Sequence, residues 1–379
     1  MQKVSKILMK RKKTRKRKVN SLYIHIPFCR HLCPYCDFTK LISNDNFEDQ
    51  YVNQLLRDLS SLEGRFFKFR TVFIGGGTPS SLKHDNLEKI LKKISKLKSN
   101  DAEFTIEANP EDINITFLEL SRKYGINRIS IGIQTFNEEI LSSIKRNYQI
   151  DYQKMISSVK LYIKNINLDF IYGLPGYDVN ILKNDLESFF KLDVNHASFY
   201  SLIVSPGTEY FNKKVKEDDE DKSRLYYDLI LKEMRKHGFE RYEVSNFAKP
   251  GFECKHNLNY WHNREYVGLG LGSSGYESNI RYVNTKNFND YIKGINSKEI
   301  EKITNKTLEE YYFITNLRLH DGFKLLEYKK IFGVNFLDKY KEKIENLKKM
   351  FLISYNNDSF YCTDEGLIVL DFVLGKLIF

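Results

Sequence analysis

From residue 21 to about 202 the chain alternates short apolar runs with longer stretches whose apolar side chains return every three or four positions. The runs at 22–26, 71–74, 104–107, 128–133, 167–172 and 197–202 are too short for helices and predict strands. Between the first two, Phe47, Tyr51, Leu55, Leu59 and Leu62 form one helical stripe that could face a sheet. Comparable helices are expected over 87–97, 117–124, 152–163 and 181–190. Strands alternating with helices mean right-handed βαβ units and a parallel sheet. A full barrel of the usual kind takes about eight such units. The predicted α/β fold is therefore a partial, TIM-like (β/α)6 barrel with ligands at the carboxyl ends of its strands. A doubly wound open sheet is the alternative that periodicity leaves standing.

Beyond 202 the pattern changes. A helix is expected over 224–237, then a long polar, glycine-containing loop over 239–275 that carries Cys254, His256 and Trp261. Loops of that length in a compact protein are usually lids or binding surfaces. From 307 come two or three helices, a hairpin over 352–362 turning at Asn356 and Asn357, and a last helix over 364–377. This divides the chain into a core at 21–280 and a small winged-helix-like α+β domain at 290–379. That order of elements raises DNA binding, although the same scaffold often serves packing or protein contact.

The 27 Phe and 25 Tyr exclude disorder as the main state. No apolar stretch approaches the roughly 18 residues that span a bilayer, and the charged start lacks a secretory h-region. A soluble, cytoplasmic protein is expected. The net charge of +11 is misleading, because ten Lys or Arg and no Asp or Glu lie in residues 1–20. Basicity thus belongs to a tail, read as a solvated, disordered leader. Its run Arg11, Lys12, Lys13, Arg15, Lys16, Arg17, Lys18 leaves RNA, DNA or an anionic membrane surface open as contacts.

Three of five cysteines, Cys29, Cys33 and Cys36, fall within eight residues directly after the first strand. A disulfide framework does not look like this. Three thiolates on one loop suit three corners of a four-iron cluster whose fourth iron stays open. Zinc is the competitor, with His25 or His31 as fourth ligand. Gly75, Gly76 and Gly77 end the second strand and let backbone approach a ligand, but no Lys-Ser or Lys-Thr pair follows as in a P-loop. Glu107, Gln134, Arg146 and Asp169 lie at or just after later strand ends, and their chemistry suits hydroxyls, an ammonium and a carboxylate.

The C-x3-C-x2-C spacing with Tyr35 before the last Cys resembles the radical S-adenosylmethionine (SAM) superfamily. Tyr23-Ile-His-Ile-Pro-Phe-Cys29, Gly75-Gly-Gly-Thr-Pro79, Glu107-Ala-Asn-Pro110, Gly132-Ile-Gln-Thr-Phe136, Pro206-Gly-Thr208 and the 253–261 segment are similar to the oxygen-independent coproporphyrinogen III oxidase-like group, and within it to the heme chaperone HemW family. The resemblance covers about residues 21–379. It implies a [4Fe-4S] cluster on Cys29, Cys33 and Cys36. It also implies SAM contacts at Tyr23, Tyr35, Gly76, Gly77, Thr78, Glu107, Gln134, Arg146 and Asp169. In the same way it implies heme contacts at His256, Asn257 and Tyr260. Thiolate chemistry makes Cys254 the alternative axial ligand, and Cys362, in the expected hairpin, is read as inert packing.

The expected function is a heme chaperone that passes heme to an acceptor protein, served by an electron donor, with a homodimer and membrane-surface contact left open. The alternative is a radical SAM oxidoreductase that decarboxylates coproporphyrinogen III. Those dehydrogenases resemble C-x3-C-x2-C-x-C with a longer N-terminal region, whereas position 38 is Phe and about 20 residues precede the first strand. Tyr148, Ser205 and Ser274 also stand where relatives commonly carry ionisable groups. A nucleic-acid binder or RNA modifier using the basic tail and the winged-helix-like end is the third class.

Overall fold

A computed structural model describes residues 19–64, 68–295 and 297–378. The basic run at 11–18 lies outside them. Six strands follow one another in chain order and pair in parallel with their predecessors: β1 (Ser21–Ile26), β2 (Phe69–Gly76), β3 (Lys98–Ala108), β4 (Arg128–Gln134), β5 (Asn165–Tyr172) and β6 (His196–Ser201). The strand order never reverses, so there is no switch point of a doubly wound sheet, and the winding is that of a partial barrel. Leu22, Ile24 and Ile26 on β1, and Val72 and Ile74 on β2, are wholly buried, as the apolar runs require.

Helices cover the outside. In Asp45–Ser60 the Asn44 side chain accepts from the backbone N–H groups of Asn46 and Phe47, closing the first turn, and Tyr51, Val52, Leu55 and Leu59 face the sheet. Phe47, expected on that stripe, is half exposed and meets Phe288 instead.

The expected loop at 239–275 contains regular structure. Strand β7 (Asn246–Ala248) pairs antiparallel with β6, and β8 (Tyr266–Leu269) pairs parallel with β1. The sheet thus gains a strand on either side of the six units; three antiparallel strands, Ser274–Glu277, Ile280–Asn284 and Lys298–Lys302, beyond β8 and the short strand Glu240–Arg241 beyond β7 bring it to twelve. A Cβ on Gly268 would stand 1.8 Å from the Ser274 carbonyl oxygen, so β8 needs a missing side chain there.

A second apolar cluster, centred on Phe313, Phe323, Tyr328, Phe336 and Phe360, belongs to the C-terminal unit. Helices Asn305–Asn316, Leu325–Phe332 and Lys341–Lys349 precede a hairpin, Ile353–Tyr355 with Ser359–Cys362, which Phe323–Lys324 joins to make a three-stranded antiparallel sheet. This is the winged-helix-like order. The expected last helix is two, Asp364–Ile368 and Leu370–Ile378. The unit is tied to the barrel by buried Arg241, which donates to Asp364 at 2.5 Å, and by the bridge between Glu243 and Leu319. No helix among the described residues is long and apolar enough to cross a membrane.

Candidate functional site

The carboxyl ends of the barrel strands open into a cavity of about 610 Å³, within the usual range for ligand sites. Cys29, Cys33 and Cys36 line one wall, on the loop that leaves β1. Thr78 Oγ1 donates to Cys29 Sγ at 3.7 Å, and a Cβ on Gly77 would stand 2.9 Å from that sulfur and 2.7 Å from the Phe28 carbonyl oxygen. Glycine at 77 is what allows the cysteine loop to lie against the end of β2. Burial pushes the Cys29 thiol up to about 11, and raises that of Cys36.

The thiols share a wall without forming a closed metal set: among the described residues no three His, Cys, Asp or Glu meet as one. Of the two histidines that could complete a zinc site, His25 spends Nε2 on the Thr39 carbonyl at 2.7 Å and Nδ1 on the Tyr23 hydroxyl at 3.0 Å, while His31 lines the cavity with the thiols. Three soft donors on one cavity-facing loop fit an iron–sulfur cluster with an open iron better than tetrahedral zinc.

The polar floor is built from strand ends. Gly76, at φ +116, donates its N–H to Glu107 Oε2 at 2.9 Å. A Cβ on Gly75 would meet that carboxylate at 2.8 Å, so the glycine run is a cradle for Glu107 as well as for any ligand. Burial first, then the charge of Asp169, push Glu107 up to about 8. Asp169 is held by Ser130 at 2.7 Å and Asn167 at 2.8 Å. Gln134 sits at φ +68, where β4 shifts register against β5, and this left-handed geometry is costly for a side chain. Arg146 donates to the Gly132 carbonyl at 2.6 Å, which turns its guanidinium across the same bulge.

Of the residues expected to touch SAM, Tyr35, Gly76, Gly77, Thr78, Glu107, Gln134, Arg146 and Asp169 line this one cavity. Tyr23 does not, being engaged with His25 behind it. The expected heme segment divides. Asn257 lines the cavity, but His256 is fully buried, with Nδ1 at 2.9 Å from Thr71 Oγ1 and Nε2 at 2.7 Å from the Tyr260 hydroxyl. Burial pushes this imidazole down to about 3. Both ring nitrogens are committed inside the wall, so here His256 and Tyr260 form a brace. Cys254 is equally enclosed, its thiol pushed up to about 12 by burial. Cys362 is buried in the C-terminal hairpin, in keeping with packing.

Sequence reasoning did not find Ser130, Tyr200 or Arg318 as cavity residues, and reached Trp261 only as part of the expected binding loop. Ser130 could have been found, since it shares the inward face of β4 with Gly132 and Gln134 at period two. Arg318 carries no such signal, because only the docking of the C-terminal unit brings it in.

The radical SAM superfamily model matches residues 23–189. The heme chaperone HemW of Lactococcus lactis is 37% identical over 96% of this chain and 97% of its own length. That of Bacillus subtilis is 33% identical over 95% and 99%. The solved coproporphyrinogen III oxidase (HemN) of Escherichia coli shares the fold, with a TM-score of 0.81 at 20% identity over 96% of this chain and 90% of that one. With end-to-end likeness at this level of identity, and with the cysteine loop and glycine cradle in one cavity, the chain belongs to the heme chaperone HemW family of the radical SAM superfamily.

Proposed function

We propose that the protein is a heme chaperone that holds a [4Fe-4S] cluster, SAM and heme, and passes heme to an acceptor protein. The observation that carries this reading is a single cavity with three thiols on one wall, a polar floor beside them and an apolar and aromatic outer wall of Tyr200, Leu202, Ile203 and Trp261. Cys29, Cys33 and Cys36 would hold the cluster. When bound, a cluster with an open iron supplies a coordination site and an electron to a neighbouring ligand. Tyr35, Gly76, Gly77, Thr78, Glu107, Gln134, Arg146 and Asp169 would hold SAM beside it, the carboxylates accepting from its ammonium or hydroxyls and Arg146 meeting its carboxylate. Heme would lie on the outer wall with Asn257, while His256 serves from behind as a brace.

The acceptor is a heme-requiring apoprotein, the reductant a one-electron donor, and the compartment the cytoplasm. Pairing with a second copy and contact of the basic tail with a membrane surface are further proposals on the same reading. Anaerobic reconstitution tests it. About four irons per chain are expected, lost in Cys29→Ala, Cys33→Ala or Cys36→Ala, together with saturable heme binding by the same sample. Failure to retain heme overturns the chaperone reading. So does formation of protoporphyrinogen from coproporphyrinogen III with SAM and a reductant, which would establish the oxidoreductase instead.

A further inference from the structure

The outer wall holds a polar pair that neither the cluster nor SAM uses. Arg318 follows the helix Asn305–Asn316 in the C-terminal unit, and its backbone is fixed by the Glu243–Leu319 bridge and by the His320 N–H, which donates to the Tyr242 carbonyl at 3.0 Å. Its guanidinium lies 4.6 Å from the centre of the Trp261 ring, and both residues line the cavity. Arg318 Nε and Trp261 Nε1 are shielded from solvent and have no hydrogen-bond partner among the described residues. Buried donors in native proteins are nearly always paired, so two such donors side by side on a cavity wall ask for an acceptor from a ligand.

Neither group can accept a hydrogen bond, and one carries a permanent positive charge. The ligand atom is therefore an oxygen acceptor, and the strongest partner for a guanidinium is a carboxylate. Glu243 fills that role only in part: its Oε1 accepts from the Ser245 N–H at 2.9 Å and from the Asn246 amide, and its Oε2 pairs with one terminal nitrogen of Arg318 at a long 3.4 Å, which leaves Nε without a partner among the described residues. Stacking on Trp261 holds the guanidinium in plane without using its N–H groups. Asn257 stands on the same cavity wall and adds an amide donor.

We infer that Arg318, Trp261 and Asn257 form a carboxylate subsite that receives a propionate of the bound heme. This rests on the reading of the cavity as a heme seat. It also makes the C-terminal unit part of the binding site, since Arg318 comes from there.

The test is a titration of the cluster-reconstituted, full-length protein with heme and with heme dimethyl ester, in which both propionates are blocked. The unmodified chain should bind heme about tenfold tighter than the diester, the loss of one charge-assisted pair. Arg318→Gln should bind both ligands as the unmodified chain binds the diester, and Arg318→Lys should recover part of the preference. Trp261→Phe keeps the ring and removes the indole N–H, so it should reduce the preference without unseating the guanidinium. Iron content and melting temperature identify a variant that has failed to fold, in which case Trp261→Phe decides. Equal binding of the two ligands by the unmodified chain overturns the subsite and leaves the chaperone reading intact. So does an undiminished preference in folded Arg318→Gln, or in Trp261→Phe where the arginine variant is unfolded. Absence of heme binding altogether overturns both.

Discussion

Glu103 and Glu107 lie four residues apart on β3 and point to the same side, into the barrel, yet their surroundings are opposite. Glu103, at the foot, accepts from the backbone N–H groups of Lys255 and His256, each at 2.9 Å, and from the Cys254 thiol at 3.6 Å. The helix Lys255–Trp261 has no side-chain cap of its own, so this carboxylate caps it from another element. Glu107, at the mouth, has one backbone donor, Gly76, and faces Asp169. The foot is chemically complete and the mouth is not. A strand whose two ends differ in this way spends one carboxylate on holding the barrel shut and leaves the other to be completed by a ligand.

The sharpest test of that contrast is Glu103→Gln. The amide would turn an NH2 group toward one of the two backbone N–H donors and remove the charge that meets the helix end. A loss of about 3 kcal/mol is expected, the scale of breaking a buried charged hydrogen-bond set. Denaturant unfolding of the unliganded chain measures it. A loss within experimental error would mean that the foot is no more committed than the mouth.

What could be read beforehand follows the same division. The six barrel strands were legible because each carries a short apolar run or an alternation whose apolar side is buried, as with Leu22, Ile24 and Ile26 or Ile166, Leu168 and Phe170. β8 was not, because four residues with Gly268 among them carry too little pattern, and its partner β1 lies more than two hundred residues away in the chain. At the site, the cysteine loop and the glycine cradle are local in sequence and so could be recognised as units. The carboxylate subsite is not local: Arg318 meets Trp261 only through the Glu243–Leu319 bridge. His256 shows the limit of a motif, which names residues but not the side of a wall they face.

Glu107→Gln probes the mouth. SAM affinity should fall by about tenfold or more as a charged acceptor is lost. Stability should move the other way at high pH. The native carboxyl titrates near 8 against an ordinary 4.5, so between these values the folded chain keeps a proton that the unfolded chain releases. The stabilisation this gives is fully present below about 4.5 and is lost as pH rises through 8. Unliganded Glu107→Gln should therefore gain on the unmodified chain in melts at pH 8 relative to pH 5. A constant difference between the two pH values would show that the mouth is as well satisfied as the foot.

The smallest effect is expected at His256→Gln, which tests whether the brace belongs wholly to the foot. With Thr71 Oγ1 donating to Ser21 Oγ at 2.8 Å, Nδ1–H donates to Thr71 and Nε2 accepts from Tyr260. A glutamine keeps part of this, so the cost near neutral pH should be about 1 kcal/mol. The imidazole refuses a proton down to about 3, whereas an unfolded histidine takes one near its ordinary 6.5. Its contribution is thus present above 6.5 and is lost as pH falls toward 3. The deficit of the glutamine variant should shrink on acidification, while His25, His196 and His262, whose pKa values burial also lowers, preserve most of the acid sensitivity of the fold. Added heme should give the same Soret band in variant and unmodified chain, because the ring does not face the cavity. A shifted or missing band would mean that the helix Lys255–Trp261 releases its imidazole when heme binds, and that the completed foot is itself part of the site.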